Sequence, residues 1–105
     1  MRRVVYERRA LRELQHEWHW YERRVPGTGE RLLRLIESEV RLIQEAPDSF
    51  PRDASHPRAR RAVLPKRTFP FAIIYFVMDD ETIVIVALAH AKRRPGYWSR
   101  RVAEP

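Results

Sequence analysis

The chain has 105 residues, of which 44% are hydrophobic, and it carries a net charge of +7 with no cysteine. This length and composition predict one globular domain spanning residues 1–105 and exclude a disordered basic tail. The lack of cysteine excludes disulfides, thiolate metal sites and a cysteine nucleophile, and because no apolar run approaches roughly 20 residues and no signal peptide is visible, the protein is expected to be cytoplasmic.

The positive charge is concentrated in the second half of the chain. Residues 1–51 contain ten arginines and nine acidic residues, whereas residues 52–105 contain eleven Arg or Lys and only five acidic residues. A concentrated basic face predicts an anionic partner, which could be a phosphate backbone or an acidic protein. Nineteen of the 21 cations are arginine. Arginine suits bidentate contacts to phosphate or carboxylate, although codon bias would produce the same excess.

The first half predicts a strand followed by two helices. The short apolar segment "VVY" (Val4–Tyr6) is typical of a strand, and from Arg8 onwards the apolar spacing becomes helical. The predicted apolar stripe of the first helix consists of Leu11, Leu14, Trp18, Tyr21 and Val25. The turn "PGTG" (Pro26–Gly29) ends this helix. The apolar face of the second helix is predicted at Leu33, Ile36, Val40 and Ile43.

So short a turn predicts that the two helices form an antiparallel hairpin. Trp20 lies off the stripe of the first helix. It is interpreted either as an edge residue of the hairpin or as part of a binding surface. Because it has no obvious cover within the chain, it is the residue predicted to contact a protein partner.

The second half predicts a proline-rich loop and an antiparallel sheet. Residues 46–60 contain three prolines and no periodicity, which predicts a surface loop. Strands are predicted around Arg61–Leu64, at Phe69–Met78 and at Thr82–His90, with "DDE" (Asp79–Glu81) as the turn between the last two. Both of these last strands are apolar on both faces. The helical hairpin would cover one face of the sheet, and the C-terminal segment or a partner would cover the other.

Four segments of the chain resemble the RelE/ParE superfamily of bacterial toxins, and its ParE-like branch of plasmid stabilisation proteins in particular. They are "WYERRVPGTGERLL" (Trp20–Leu33), "APDSFP" (Ala46–Pro51), "RRAVLPKRTFPFAIIYFV" (Arg60–Val77) and "VALAHAKRRPGYWSRR" (Val86–Arg101). They occur in the order and approximate spacing of the family. The segment "ERRA" (Glu7–Ala10) differs from the Ser-Pro-type helix start that is common in the family, which leaves the cap of the first helix in question.

The resemblance implies an α+β fold, in which an N-terminal strand and an antiparallel helical hairpin pack on a small, mainly antiparallel sheet. It also implies the toxin of a type II toxin–antitoxin pair, which inhibits growth when free and is neutralised by a cognate antitoxin. ParE-like members poison DNA gyrase, whereas RelE-like members cleave mRNA on the ribosome without a metal. DNA gyrase and the ribosome with its mRNA are therefore the two expected targets. No metal and no cofactor is expected.

The residues after the last strand are the candidates for the toxic surface. If the protein is a nuclease, His90, Arg93 and Tyr97 are the predicted catalytic residues, since histidine can act as acid or base and cations stabilise a phosphorane. The predicted target-binding residues are Arg61, Arg94 and Trp98, with Lys92 as a further cation.

Each of these candidates also has an ordinary structural interpretation. His90 could be a strand-end residue, Arg61 a solvated strand position, Tyr97 and Trp98 a cover for the sheet, and Arg100 and Arg101 solubilising charges. No paired carboxylate is visible near these candidates, because the acidic residues after Pro57 lie in the Asp79–Glu81 turn and at Glu104. A second proton-transfer group for RNA cleavage is therefore missing from the pattern.

Three hypotheses follow from these observations. A gyrase-binding toxin is favoured, and a ribosome-dependent mRNA endonuclease is the alternative. A basic nucleic-acid-binding module is disfavoured because it does not explain the family pattern.

Overall fold

A computed structural model describes residues 1–65 and 69–102 and has an α+β architecture, as the sequence predicts. Strand β1 (Arg3–Tyr6) precedes the helices α1 (Arg8–Arg24) and α2 (Thr28–Glu45). Strands β2 (Arg60–Val63), β3 (Phe71–Asp79) and β4 (Thr82–His90) follow, and short 3₁₀ helices lie at Pro47–Ser49 and Ser99–Arg101. Across the described residues, no helix is both long enough and apolar enough to cross a membrane.

The four strands form one mixed sheet in the order β1-β4-β3-β2. β1 pairs in parallel with β4 from Thr82 to Ile85, while the β2–β3 and β3–β4 pairs are antiparallel. The register between β3 and β4 shifts by one residue at Val86, between the pairs Ile74–Ala87 and Tyr75–Ile85. This shift places Val86 and Ala87 together in the same apolar cluster.

Helix α1 begins at a carboxylate, which answers the question raised by the "ERRA" segment. Glu7 has extended backbone and its side chain accepts a hydrogen bond from the Arg9 amide at 3.1 Å. An acidic side chain in this position satisfies a free amide of the first turn and interacts favourably with the helix dipole. Glu7 therefore caps α1 in place of a serine.

The turn between the helices is held by Glu22. One oxygen of its carboxylate accepts hydrogen bonds from the amides of Gly27 and Gly29, both at 2.9 Å, and from the amide of Glu30 at 3.3 Å. These are the free amides at the start of α2. Gly27 has a φ of 93°, in the left-handed region that favours glycine. The residues "E…PGTGE" thus have a structural role in closing the hairpin.

The helical hairpin covers one face of the sheet, and the predicted apolar stripes are confirmed in part. In α1 the core-facing positions are Ala10, Leu14 and Tyr21, whereas the predicted Leu11 and Val25 are exposed. In α2 the predicted Ile36, Val40 and Ile43 are buried. The fourth buried apolar residue is Leu32, and the predicted Leu33 is only half-buried. Because α1 also carries apolar residues on its outer side, spacing alone did not identify every residue of its packed face.

The C-terminal segment covers the other face of the sheet, one of the two possibilities predicted. Trp98 and Val102 are buried there against the second face, with Tyr97 beside them. This cluster consists of Ala59, Ala72, Ile74, Phe76, Val84, Val86, Ala87, Trp98 and Val102. In contrast to the prediction, the proline-rich loop does not lie wholly on the surface, because Pro47, Asp53 and Ala59 within it are buried.

Candidate functional site

The ends of β2 and β4, the proline-rich loop and the C-terminal turn surround a cleft of about 390 Å³, which we call the basic cleft. All six residues predicted for catalysis or target binding line it: Arg61, His90, Arg93, Arg94, Tyr97 and Trp98. The loop adds Arg52 and Asp53, which were not predicted because nothing in the sequence brings the loop to this end of the sheet. Lys92, the further predicted cation, is not among the lining residues.

Arg61 reaches the cleft from β2 and is held by a buried acid. It pairs with Ile74 of β3, which also lines the cleft, so the two side chains share one face of the sheet. Its Nη1 lies 3.3 Å from Oδ2 of Asp53, and the Arg61 side chain is 45% exposed. Oδ1 of Asp53 accepts from the Ser55 amide at 2.8 Å. Arg61 is thus a tethered arginine that still presents part of its guanidinium to solvent.

His90 ends β4 with a defined ring orientation. Its Nδ1 accepts a hydrogen bond from the Lys92 amide at 3.0 Å, and its ring meets Phe71 edge-on at 5.1 Å. Because Nδ1 acts as an acceptor, the neutral ring carries its proton on Nε2. His90 therefore has a structural role in the turn after β4 and can offer Nε2 to a ligand.

Tyr97 is held between α1 and the arginines of the turn. Its hydroxyl donates to Oε2 of Glu13 at 2.8 Å, and the guanidinium of Arg93 lies 3.9 Å from its ring centroid. Burial is the main cause that raises the pKa of Tyr97, and the bond to Glu13 and its negative charge raise it further, against the opposing effect of Arg93 and Arg101. The hydroxyl therefore stays protonated and engaged, which makes it a poor proton donor to a substrate.

Trp98 and Arg101 lie deeper than the sequence suggested. The Trp98 ring is 2% exposed within the second apolar cluster, so little of it is left to contact a target. The alternative interpretation of Arg101 as a solubilising charge is wrong. Its Nη1 donates to Oε1 of Glu13 at 3.1 Å and to the carbonyl of Val86 at 3.0 Å. Arg101 therefore attaches the C-terminal segment to β4 of the sheet.

Gly96 allows the C-terminal turn to pack closely against the proline-rich loop at the basic cleft. Gly96 has a φ of 72°, and a Cβ built on it would lie 2.7 Å from Cβ of Ser55 in the proline-rich loop. Pro95 and Gly96 form the turn that reverses the chain after Arg94, so the arginines stand at the rim while the following residues return to the sheet.

The chemistry of the cleft is that of an anion-binding surface. Within residues 1–65 and 69–102, four arginines line it and one acidic side chain does, Asp53, which is already paired with Arg61. Arginine forks match phosphate and carboxylate oxygens. A larger open depression of about 920 Å³ beside the β3–β4 turn contains none of the predicted residues and mixes acidic with basic groups. Glu104, the acid noted near the C-terminus, lies outside the described residues.

Trp20, the predicted partner-binding residue, lies on the helical hairpin and not in the cleft. Its ring is 37% exposed, with the guanidinium of Arg24 stacked 4.1 Å from the ring centroid and Tyr21 edge-on at 4.8 Å. Leu11, Val25 and Leu42 are further exposed apolar residues of this half of the chain. The exposed apolar side chains of the hairpin and the exposed arginines of the cleft are carried by different elements.

Comparisons with known proteins agree with this architecture. Residues 4–95 match the family described as ParE toxin of the type II toxin–antitoxin system parDE. A solved structure titled "Chromosomal ParDE TA system from P. aeruginosa" has the same fold, with a TM-score of 0.73 and 19% identity, over 88% of this chain and 98% of that one. No curated protein matches the chain.

Proposed function

Because the chain belongs to the ParE toxin family of type II toxin–antitoxin systems, we propose that it inhibits bacterial growth by binding DNA gyrase and that a cognate antitoxin neutralises it. The proposal takes residues 1–105 as one toxin domain. Family membership leaves a stand-alone basic nucleic-acid-binding module without support.

The basic cleft is the observation that carries the choice of target. It offers Arg52, Arg61, Arg93 and Arg94 to an anionic partner. The described residues that line it provide no matched acid and base, because the Tyr97 hydroxyl is hydrogen-bonded to Glu13 and Asp53 is buried against Arg61. Efficient RNA cleavage through the 2′-hydroxyl needs both a base and an acid. This set of groups supports a toxin that acts by binding, with the arginines as its contact residues.

The direct test is a supercoiling assay with purified gyrase and purified toxin. We expect inhibition by the wild-type protein, weaker inhibition by Arg94→Ala, and wild-type inhibition by Arg100→Ala. Arg100 is a matched control because it is an exposed arginine of the same segment that does not line the cleft. Unchanged supercoiling at concentrations that fully arrest growth would exclude gyrase as the target.

One observation favours the mRNA endonuclease as the second candidate. His90 can present Nε2 to the same cleft as the arginines, so one proton-transfer group is in place. In this case induction of the toxin would produce codon-positioned cuts in mRNA within minutes, detectable by primer extension. His90→Ala would then abolish toxicity, whereas for a gyrase-binding toxin the arginine substitutions would have the larger effect.

We further propose that the antitoxin docks on the helical hairpin through Trp20. The outer surface of the hairpin is apolar in places, whereas the second face of the sheet is already covered by the C-terminal segment. The antitoxin segment is expected to be acidic, in keeping with the net charge of +7, and to fold on contact.

Co-purification with the product of the adjacent gene tests this docking mode. Trp20→Ala should weaken the complex and leave growth arrest intact, since the cleft is untouched. A complex whose contacts, mapped by hydrogen exchange, avoid α1 and α2 would contradict the proposal.

A further inference from the structure

Glu13 of α1 is hydrogen-bonded both to strand β4 and to the C-terminal segment, and so links the first helix to each of them. Its side chain is 17% exposed and both of its oxygens are used. Oε1 accepts from the Leu88 amide and from Nη1 of Arg101, each at 3.1 Å, and Oε2 accepts from the Tyr97 hydroxyl at 2.8 Å. The partners are 75 to 88 residues away in sequence.

This cluster completes the edge of β4. The pairing of β1 with β4 runs only from Thr82 to Ile85, so the strand edge beyond it must find other partners. Arg101 donates to the carbonyl of Val86, at the register shift, and Glu13 accepts from the amide of Leu88, two residues beyond it. The same two side chains bond to each other, so the C-terminal segment is attached to α1 and β4 together.

The attachment continues into the basic cleft through Tyr97. The Arg93 guanidinium lies 3.9 Å from the centroid of the Tyr97 ring, and the Arg101 guanidinium lies 5.2 Å from it. Arg93 itself is exposed and follows a turn, so without the ring its long side chain would sample many rotamers. Fixing the ring therefore lowers the entropy that Arg93 loses when it contacts an anion.

We propose that Glu13 is a positioning residue of the toxic surface, acting through Tyr97 on Arg93. This inference rests on the proposed function only to the extent that Arg93 belongs to the surface that contacts the target. It assigns a role in target binding to α1 that is separate from the contact between the hairpin and the antitoxin. Glu13 itself does not line the cleft.

The test combines single substitutions with a double-mutant cycle. Glu13→Ala removes the whole cluster, and Tyr97→Phe removes only the bond to Glu13 while the ring and the Glu13–Arg101 pair remain. Glu17→Ala is the matched control, because Glu17 is a glutamate one turn further along α1 that forms no part of the cluster. Each change is made in the wild type and in Arg93→Ala. Growth arrest, gyrase inhibition, thermal midpoint and the ring-current shift of the Arg93 side-chain protons are measured.

We expect Glu13→Ala and Tyr97→Phe to raise the concentration needed for half-inhibition by roughly tenfold, which corresponds to an interaction of about 1.4 kcal/mol. In the Arg93→Ala background neither change should have a further effect. The ring-current shift of Arg93 should diminish in both variants and persist in Glu17→Ala. A purely structural role would lower activity in both backgrounds and in proportion to the loss of thermal stability.

Two results would overturn the inference. One is full inhibition by a folded Tyr97→Phe variant with a reduced ring-current shift, and the other is an effect of Glu13→Ala that adds fully to that of Arg93→Ala. Failure of the wild-type protein to inhibit gyrase would refute the gyrase proposal alone. The cycle would then be read from growth arrest and from the Arg93 shift, which do not depend on the identity of the target.

Discussion

Replacing Arg93 and Arg94 together should abolish toxicity while leaving the fold intact, and each single change should only weaken it. Replacing Trp98 should instead reduce toxicity by destabilising the fold. Arg94 is exposed and makes no ion pair within the described part of the chain, so Arg94→Ala should change the free energy of unfolding by less than about 0.5 kcal/mol. Arg93→Ala also loses its stacking on Tyr97, which is worth about 0.5–1 kcal/mol at an exposed site. Neither arginine belongs to an apolar cluster.

Trp98→Ala removes a ring that is 2% exposed and packed in the second apolar cluster. Emptying such a site costs about 3–5 kcal/mol, out of the roughly 5–15 kcal/mol that stabilise a typical domain. For a chain of this size 1 kcal/mol shifts the thermal midpoint by about 4–8 °C. The Trp98→Ala midpoint should therefore fall by at least about 12 °C, while that of Arg94→Ala should fall by no more than about 4 °C.

The assay scores the same variants twice, by circular dichroism on heating and by colony counts after induction. Arg100→Ala is the control for the loss of one exposed arginine. If the combined Arg93→Ala and Arg94→Ala protein is expressed, folded and fully toxic, the basic cleft is a solvated surface and the site assignment is wrong. If Trp98→Ala keeps its thermal midpoint, the C-terminal segment does not contribute to the core as the structure indicates.

Three further predictions concern the fold. Glu22→Ala should lower the free energy of unfolding by about 0.5–2 kcal/mol, because its carboxylate accepts hydrogen bonds from three amides at the start of α2. Chemical denaturation measures this loss, and the control Glu37→Ala, at an exposed glutamate, should show no comparable loss. Gly29→Ala should lower the free energy of unfolding by about 1–3 kcal/mol, since its Cβ would lie 2.6 Å from the Trp18 carbonyl oxygen. An unchanged denaturation midpoint would mean that α1 and α2 move apart to accommodate this Cβ without loss of stability. Burial raises the pKa of Tyr75 from 10.0 to about 12. The stability that this group provides is therefore complete below about pH 10 and is lost as the pH rises towards 12. This loss should be smaller in Tyr75→Phe, and equal slopes of unfolding free energy against pH in the two proteins would contradict the prediction.

Local sequence features predicted the elements well and the packing less well. The alternation of apolar residues, the Asp79–Glu81 turn and the "PGTG" segment are short-range signals, and each corresponds to an observed boundary. The predicted packed side of α1 was right at Leu14 and Tyr21 and wrong at Leu11 and Val25, because this helix is apolar on two sides. Ala10 faces the core, whereas the larger Leu11 is exposed, so residue size did not indicate which side is buried.

The residues that organise the site could not be predicted, since their partners are remote in sequence. Glu13 lies in an apparently ordinary polar position of an amphipathic helix, and Arg101 in a run of terminal charges. Their roles depend on a strand edge that exists only after β1 has paired with β4. Asp53 was hidden for a different reason, because its partner Arg61 is only 8 residues away but is reached across an irregular loop. A buried acid within a proline-rich loop gives no periodic signal.

The distribution of ion pairs explains why a chain of this size can present a strongly basic cleft without weakening its fold. The arginines that approach the interior are compensated: Arg101 by Glu13 and Glu7, Arg60 by Asp48, and the partly exposed Arg61 by Asp53. Those at the rim, Arg52, Arg93 and Arg94, form no ion pair within the described residues and remain hydrated. Burying an unpaired charge would cost several kcal/mol, whereas an exposed one costs little and extends its field into solvent. The acidic residues placed near the sheet thus neutralise the structural arginines and leave the charge of the rim to act on a target.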